Sequence, residues 1–219
     1  MHDSFADHHL KKDHPRSWFR NQPIISDQVT REGLEVVCSH LETTLQKNVS
    51  GAVVEFGCYA GTTSLFIRRI LDEVGQSESR PFYVYDSFDG LPPKTTQDKN
   101  AAGVDFEPGK LYVSKKEFLQ QFHGANLRPP VIHKGWFDQL GGQDVPSEIA
   151  FAFLDGDFYG SILSSLRLVW PRMAKNGVIL IDDYKRETLP GVERAIHDFF
   201  QGKNYQSLRS AQNIAIIQI

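Results

Sequence analysis

Ile149-Ala-Phe-Ala-Phe-Leu154-Asp-Gly-Asp157 and Gly177-Val-Ile-Leu-Ile181-Asp-Asp183 are two apolar runs that each end in a pair of acids. Runs of this length with no polar residue read as strands buried on both faces. The amphipathic stretch between them, Tyr159 to Met173, is long enough for a crossover helix, so the unit predicts two parallel strands in one sheet. The same alternation continues outward. Ala52–Phe56 reads as a strand followed by a helix from Gly61 to Val74, then come strands over Pro81–Tyr85 and Pro130–His133. Ser114 and Glu117 form a capping box that opens the helix before the latter strand. A helix from about Gly191 to Phe200 and two strands, near Tyr205 and over Asn213–Ile219, follow. Upstream, Ser26 or Asp27 is expected to cap a helix whose apolar face includes Val29, Leu34, Val37, Leu41 and Leu45. The predicted fold is a doubly wound α/β sheet.

A chain of 219 residues with 40% hydrophobic content suits one domain. We expect it over residues 21–219, behind a flexible amino-terminal arm over 1–20. The arm's His2, His8, His9 and His14 are irregularly spaced among charges and read as solvated. His133 and His197 read as structural. A net charge of −3, from 24 basic and 27 acidic residues spread along the chain, gives no footprint for a nucleic-acid partner. No apolar run approaches the roughly 20 residues of a membrane helix. The polar first residues are unlike a signal peptide, and Cys38 and Cys58 lie at no metal or redox spacing. A cytoplasmic location is expected. The segment from Asp86 to Tyr112 is long, rich in Pro, Gly, Asp and Lys, and without a period; a lid is expected over about 87–112.

Acids recur at strand ends: Glu55, Asp86, Asp155 with Asp157, and Asp182 with Asp183. In an open parallel sheet the carboxyl ends of the strands share one edge, where ligands bind, so these carboxylates should converge. The loop Glu55-Phe-Gly57-Cys-Tyr-Ala-Gly61-Thr-Thr lacks the G-x-G-x-x-G spacing that seats a pyrophosphate. An acid there suits the sulfonium and ammonium of S-adenosylmethionine, and Asp86 can accept hydrogen bonds from ribose hydroxyls. Asp155, Asp182 and Asp183 offer hard oxygen donors suited to Mg²⁺ or Mn²⁺. Asp157 is placed to take a proton, with a fourth ligand or a helix cap as the alternative reading of its position.

Glu55-x-Gly57 with Tyr59, Asp86-Ser-Phe-Asp-Gly-Leu-Pro92, Gly135-Trp-Phe137, Leu154-Asp-Gly-Asp-x-Tyr159-x-Ser161 and Ile181-Asp-Asp-Tyr184 with Pro190-Gly191 resemble, in residues and in order, the macrocin O-methyltransferase family. The resemblance covers roughly residues 49–200. It implies a class I methyltransferase fold with strand order 3-2-1-4-5-7-6 and an antiparallel strand 7. It also implies Mg²⁺-dependent methylation, from S-adenosylmethionine, of sugar hydroxyls on glycosylated natural products. Carried over, it makes Asp155, Asp182 and Asp183 the metal ligands and Asp157 the general base. Glu55, Gly57 and Asp86 become cofactor contacts, with Trp136 and Phe137 near the adenine. Tyr59, Gly61, Ser87 and Asp155 complete the expected cofactor set. Where the family commonly has Arg-Gly-Gly this chain has Ala60-Gly61-Thr62, so Thr62 or backbone amides are expected to meet the cofactor carboxylate. The implied partner is a small glycosylated acceptor, and a homodimer is the assembly to test. A catechol or other non-sugar acceptor, a nucleotide-dependent oxidoreductase and a non-catalytic cofactor-binding domain are the alternative readings.

Overall fold

The computed structural model describes residues 17–100, 106–203, 205 and 207–219. Six helices, α1 (Ser17–Asn21), α2 (Arg31–Gln46), α3 (Thr62–Glu73), α4 (Lys115–Gly124), α5 (Tyr159–Val169) and α6 (Pro190–Phe200), pack on one sheet. Its strands are β1 (Ala52–Phe56), β2 (Phe82–Asp86), β3 (Val131–Lys134), β4 (Ile149–Leu154), β5 (Met173–Ile181), β6 (Ser207–Ala211) and β7 (Ile214–Gln218). Their order is β3-β2-β1-β4-β5-β7-β6. The first five run parallel, and β7 is antiparallel to both β5 and β6. The expected order and the antiparallel seventh strand are both present.

Side chains alternate across the sheet because the strand period is two. Val53, Val84, Phe151, Phe153, Val178 and Leu180 join the core beneath α1 to α4. Val54, Tyr85, Ala152, Leu154, Ile179 and Ile181 join the core beneath α5 and α6. With both faces covered, β1 and β4 are buried at every position, which is why they read as unbroken apolar runs. The alternation also fixes Glu55: it shares the face of Val53 and points under α3.

Three boundaries differ from the sequence expectations. The cap of α2 is Thr30, whose Oγ1 accepts from the Gly33 amide at 3.0 Å, so Ser26 and Asp27 precede the helix and Val29 packs on the core from outside it. α5 ends at Val169 in a 3₁₀ turn, Trp170–Arg172. Pro171 has no amide proton to continue an α-helix, and Met173 begins β5. Most of the arm expected over 1–20 lies outside the described residues, but its end is ordered: Phe19 is 5% exposed in the core, Trp18 Nε1 donates to Glu73 Oε2 at 2.8 Å, and Arg31 Nη1 donates to the Phe19 carbonyl at 2.5 Å. The predicted capping box on α4 is present, with Ser114 and Glu117 bonded reciprocally.

The long segment after β2 closes on itself. The Leu91 amide donates to the Lys110 carbonyl at 2.8 Å and the Gly109 amide to the Leu91 carbonyl at 2.9 Å, which brings the two ends of this segment together in a narrow neck. Among the described residues no helix is long and apolar enough to cross a membrane.

Candidate active site

The carboxyl ends of β1, β2, β4 and β5 surround a cavity of about 890 Å³, counting its open mouth. On one side, Gly57 lies at φ +86°, and a Cβ there would sit 1.8 Å from the Asp155 carbonyl oxygen. Only glycine lets the first and fourth strand ends come this close. Asp86 ties the same region together: Oδ2 accepts from the amides of Cys58 (2.8 Å) and Tyr59 (3.3 Å), and Oδ1 from that of Phe88 (2.7 Å). Ser87 Oγ donates to the Gly90 carbonyl and accepts from the Asp89 amide. Trp136 and Phe137 form a wall, Phe137 edge-on to Phe56 at 5.2 Å.

Of the expected cofactor contacts, Gly57, Tyr59, Asp86, Ser87, Trp136, Phe137 and Asp155 line this cavity, whereas Glu55, Gly61 and Thr62 do not. The Glu55 carboxyl is fully buried beneath α3, where its Oε2 accepts from Ser64 Oγ and its Oε1 has no partner. Burial raises its pKa to about 8. Gly61 packs against the Phe118 ring, and Thr62 Oγ1 donates to Ser26 Oγ at 3.5 Å.

On the other side stand the acids of the two deciding runs. Carboxylate oxygens of Asp155, Asp157 and Asp183 lie within 4.8 Å of one another. Asp182 lines the same cavity but falls outside that trio. Asp157 and Asp183 hold left-handed backbone, φ 58° and 57°, a conformation uncommon outside glycine that Asp tolerates better than most residues. Burial first, and then the neighbouring carboxylates, push Asp155 and Asp157 well above the usual range. Asp182 rises to about 7 by burial and then by Asp183. Burial also raises Asp183, against the pull of Arg186, whose Nη1 donates to Asp183 Oδ1 at 2.5 Å. Four gathered carboxyls against one guanidinium form a site that a divalent cation suits. Three oxygen donors within reach of one point, with no thiol among them, fit Mg²⁺ or Mn²⁺ rather than structural zinc.

Sequence reading missed part of the wall. Phe106, Leu111 and Leu189 supply an apolar rim, and Gln28 reaches in from ahead of α2. None carries a local signal, because each is brought in by a loop. A second cavity on the far side of Asp182, Asp183 and Arg186 extends to Thr30, Gln212 and Asn213.

The Macrocin-O-methyltransferase (TylF) sequence profile matches residues 6–214. The chain is 31% identical over 193 residues to the 8-demethyl-8-(2,3-dimethoxy-alpha-L-rhamnosyl)-tetracenomycin-C 4'-O-methyltransferase of Streptomyces olivaceus, covering 84% of this chain and 72% of that protein. It is 28% identical to the mycinamicin III 3''-O-methyltransferase of Micromonospora griseorubida, over 73% of this chain and 64% of that one. Among solved structures, the O-methyltransferase NovP superposes with a TM-score of 0.74 at 22% identity, covering 87% of this chain and 80% of that one. The calicheamicin methyltransferase CalS11 gives 0.65 at 19%, over 93% and 89%. Fold, motif order and profile agree: the chain belongs to the macrocin O-methyltransferase family of S-adenosylmethionine-dependent enzymes.

Proposed function

We propose that this chain methylates a hydroxyl of a glycosylated small molecule, using S-adenosylmethionine and a divalent metal ion, Mg²⁺ or Mn²⁺. The observation that carries the reading is the gathering of strand-end carboxylates in the cavity that Gly57 and Asp86 also line. Asp155, Asp182 and Asp183 are the proposed ligands, and a cation bound there supplies Lewis-acid polarisation of the acceptor hydroxyl. Gly57 lets backbone approach the donor. Asp86 keeps lone pairs for ribose hydroxyls beyond the three amides it holds. Trp136 and Phe137 offer flat apolar faces to the adenine. Asp157, whose carboxylate lies within 4.8 Å of those of Asp155 and Asp183, is the proposed acceptor of the hydroxyl proton. Phe106, Leu111 and Leu189 exclude water from the mouth.

Glu55 acts at one remove, by fixing the start of α3 through Ser64. The sugar nature of the acceptor rests on the Streptomyces olivaceus relative, whose name specifies 4'-O-methylation of a rhamnosyl compound. The protein works inside the cell, and a homodimer is the assembly to test by light scattering. The direct experiment is methyl transfer from labelled S-adenosylmethionine to a panel of glycosides and catechols, with and without EDTA. Turnover of glycosides that chelation abolishes is expected. EDTA-insensitive transfer would remove the metal role, and turnover of catechols alone would replace the sugar.

A further inference from the structure

Asp98 lies in the middle of the looped segment that follows β2, in a 3₁₀ turn over Thr96–Asp98, yet it is only 2% exposed. Its Oδ2 accepts from the Thr95 amide (2.8 Å) and hydroxyl (2.7 Å), which closes the turn. Its Oδ1 accepts from the Tyr159 amide at 2.7 Å, 61 residues away. Tyr159 is the first residue of α5, and the residue before it, Phe158, offers no side-chain cap. Helix starts leave amides without partners, so Asp98 caps from a distance the helix that follows Asp155-Gly-Asp157. α6, which follows Asp182-Asp183, also lacks a side-chain cap. Its second residue, Gly191, faces the same carboxyl: a Cβ there would sit 1.9 Å from Asp98 Oδ1 and 2.9 Å from the Tyr159 amide. Two helix starts, both favourable to negative charge, thus meet on one buried acid. The flanking residues reinforce the joint, Asn100 Nδ2 donating to the Thr188 carbonyl at 3.0 Å and Arg194 Nη1 to the Gln97 carbonyl.

We infer that Asp98 is a positioning residue for methyl transfer, a buried joint that holds the β4–α5 and β5–α6 turns, and with them the acids they carry, in register. The inference rests on the proposed role of those acids. It explains how Asp157 and Asp183 keep left-handed backbone: strained turns persist where neighbouring structure over-determines them, and Asp98 fixes the downstream end of one turn while packing on that of the other. It also gives Gly191 a reason to lack a side chain.

The test uses the full chain saturated with S-adenosylmethionine, as wild type, Asp98→Ala, Asp98→Asn and Gly191→Ala. Mn²⁺ affinity is read by electron paramagnetic resonance, and kcat, KM and melting temperature are read beside it. Partners that orient metal ligands from behind typically cost ~10–100-fold in affinity or activity when lost. Asp98→Ala should therefore weaken Mn²⁺ binding and lower kcat within that range, with affinity for S-adenosylmethionine unchanged. Gly191→Ala should act in the same direction by displacing a carboxyl that is still present. Asp98→Asn keeps an oxygen for the Tyr159 amide and should fall between; it stands in if the alanine variant does not fold. A lowered melting temperature with wild-type Mn²⁺ affinity and kcat would overturn the inference, reducing Asp98 to a stabiliser of the loop. If wild-type protein takes up no Mn²⁺, the metal reading fails by itself. The joint is then judged by kcat and by hydrogen exchange at the Tyr159 amide, which Asp98→Ala must accelerate.

Discussion

Gly57→Ala puts the strand-edge geometry to a quantitative test. The new Cβ would start 1.8 Å from the Asp155 carbonyl oxygen, and contacts under 3.0 Å are essentially never seen. The ends of β1 and β4 must therefore part by about 1.2 Å, the difference between those two distances. The obstacle is backbone, so no side-chain rotation relieves it. Alanine at φ +86° adds left-handed strain of about 1–2 kcal/mol, or a melting point lower by very roughly 2–8 °C for a domain of this size. The displacement bears on chemistry more than on stability, because Asp155 belongs to the acid cluster and its backbone meets Gly57 at the proposed donor site. A misplacement of about 1 Å can cost ~10²-fold, equivalent to about 2.7 kcal/mol of barrier. Initial rates of methyl transfer from labelled S-adenosylmethionine, measured well below the melting point, should fall by that order, with weaker cofactor binding in calorimetry. Wild-type rates and cofactor affinity in a folded Gly57→Ala protein would refute the account of how the two strand ends meet.

Glu55 carries a pH signature. Its folded pKa of about 8 lies above the ordinary 4.5, so between those values the unfolded chain has released a proton that the folded chain keeps. Folding stability should decline as pH rises through that window and level off beyond it. Glu55→Gln cannot titrate, and urea unfolding from pH 5 to 8 should show the variant gaining steadily on wild type; a constant gap would refute the assignment. The acid cluster divides by substitution. Asp182→Asn should abolish Mn²⁺ binding, while Asp157→Asn should retain it and lose ~10²–10⁴-fold in kcat. The reverse pattern would move the ion onto Asp155, Asp157 and Asp183, and take the proton-accepting role from Asp157.

The parallel sheet was legible because β1 and β4 are covered on both faces, so burial wrote itself as uninterrupted apolar residues. The acids at their ends were legible for the same reason: they stand where the apolar run stops. Glu55, expected at the cofactor, does not line the cavity, and the period of two that buries Val53 and Phe56 on opposite faces is what turns it under α3. Thr30 was passed over as a cap because Ser26 and Asp27 are equally good by type, and only the position of Gly33 decides among them. The local mark of Asp98, its T-x-x-D spacing from Thr95, says only that it closes a turn. Its partners are 61 and 93 positions on along the chain, and what matters is the meeting of two helix starts. The left-handed backbone at Asp157 and Asp183 was equally hidden, since Asp adopts it without a sequence signature.

The pinched neck at Leu91 and Lys110 has an evolutionary consequence. Because those two backbone bonds already bring the ends together, the stretch between them behaves as a cassette. Its length and side chains can drift at small entropic expense, since closing a longer loop adds only about 0.6 kcal/mol per doubling. Exchange of residues 92–109 with Asp98 kept in place is thus a change the scaffold should accept without rebuilding the strand ends beneath it.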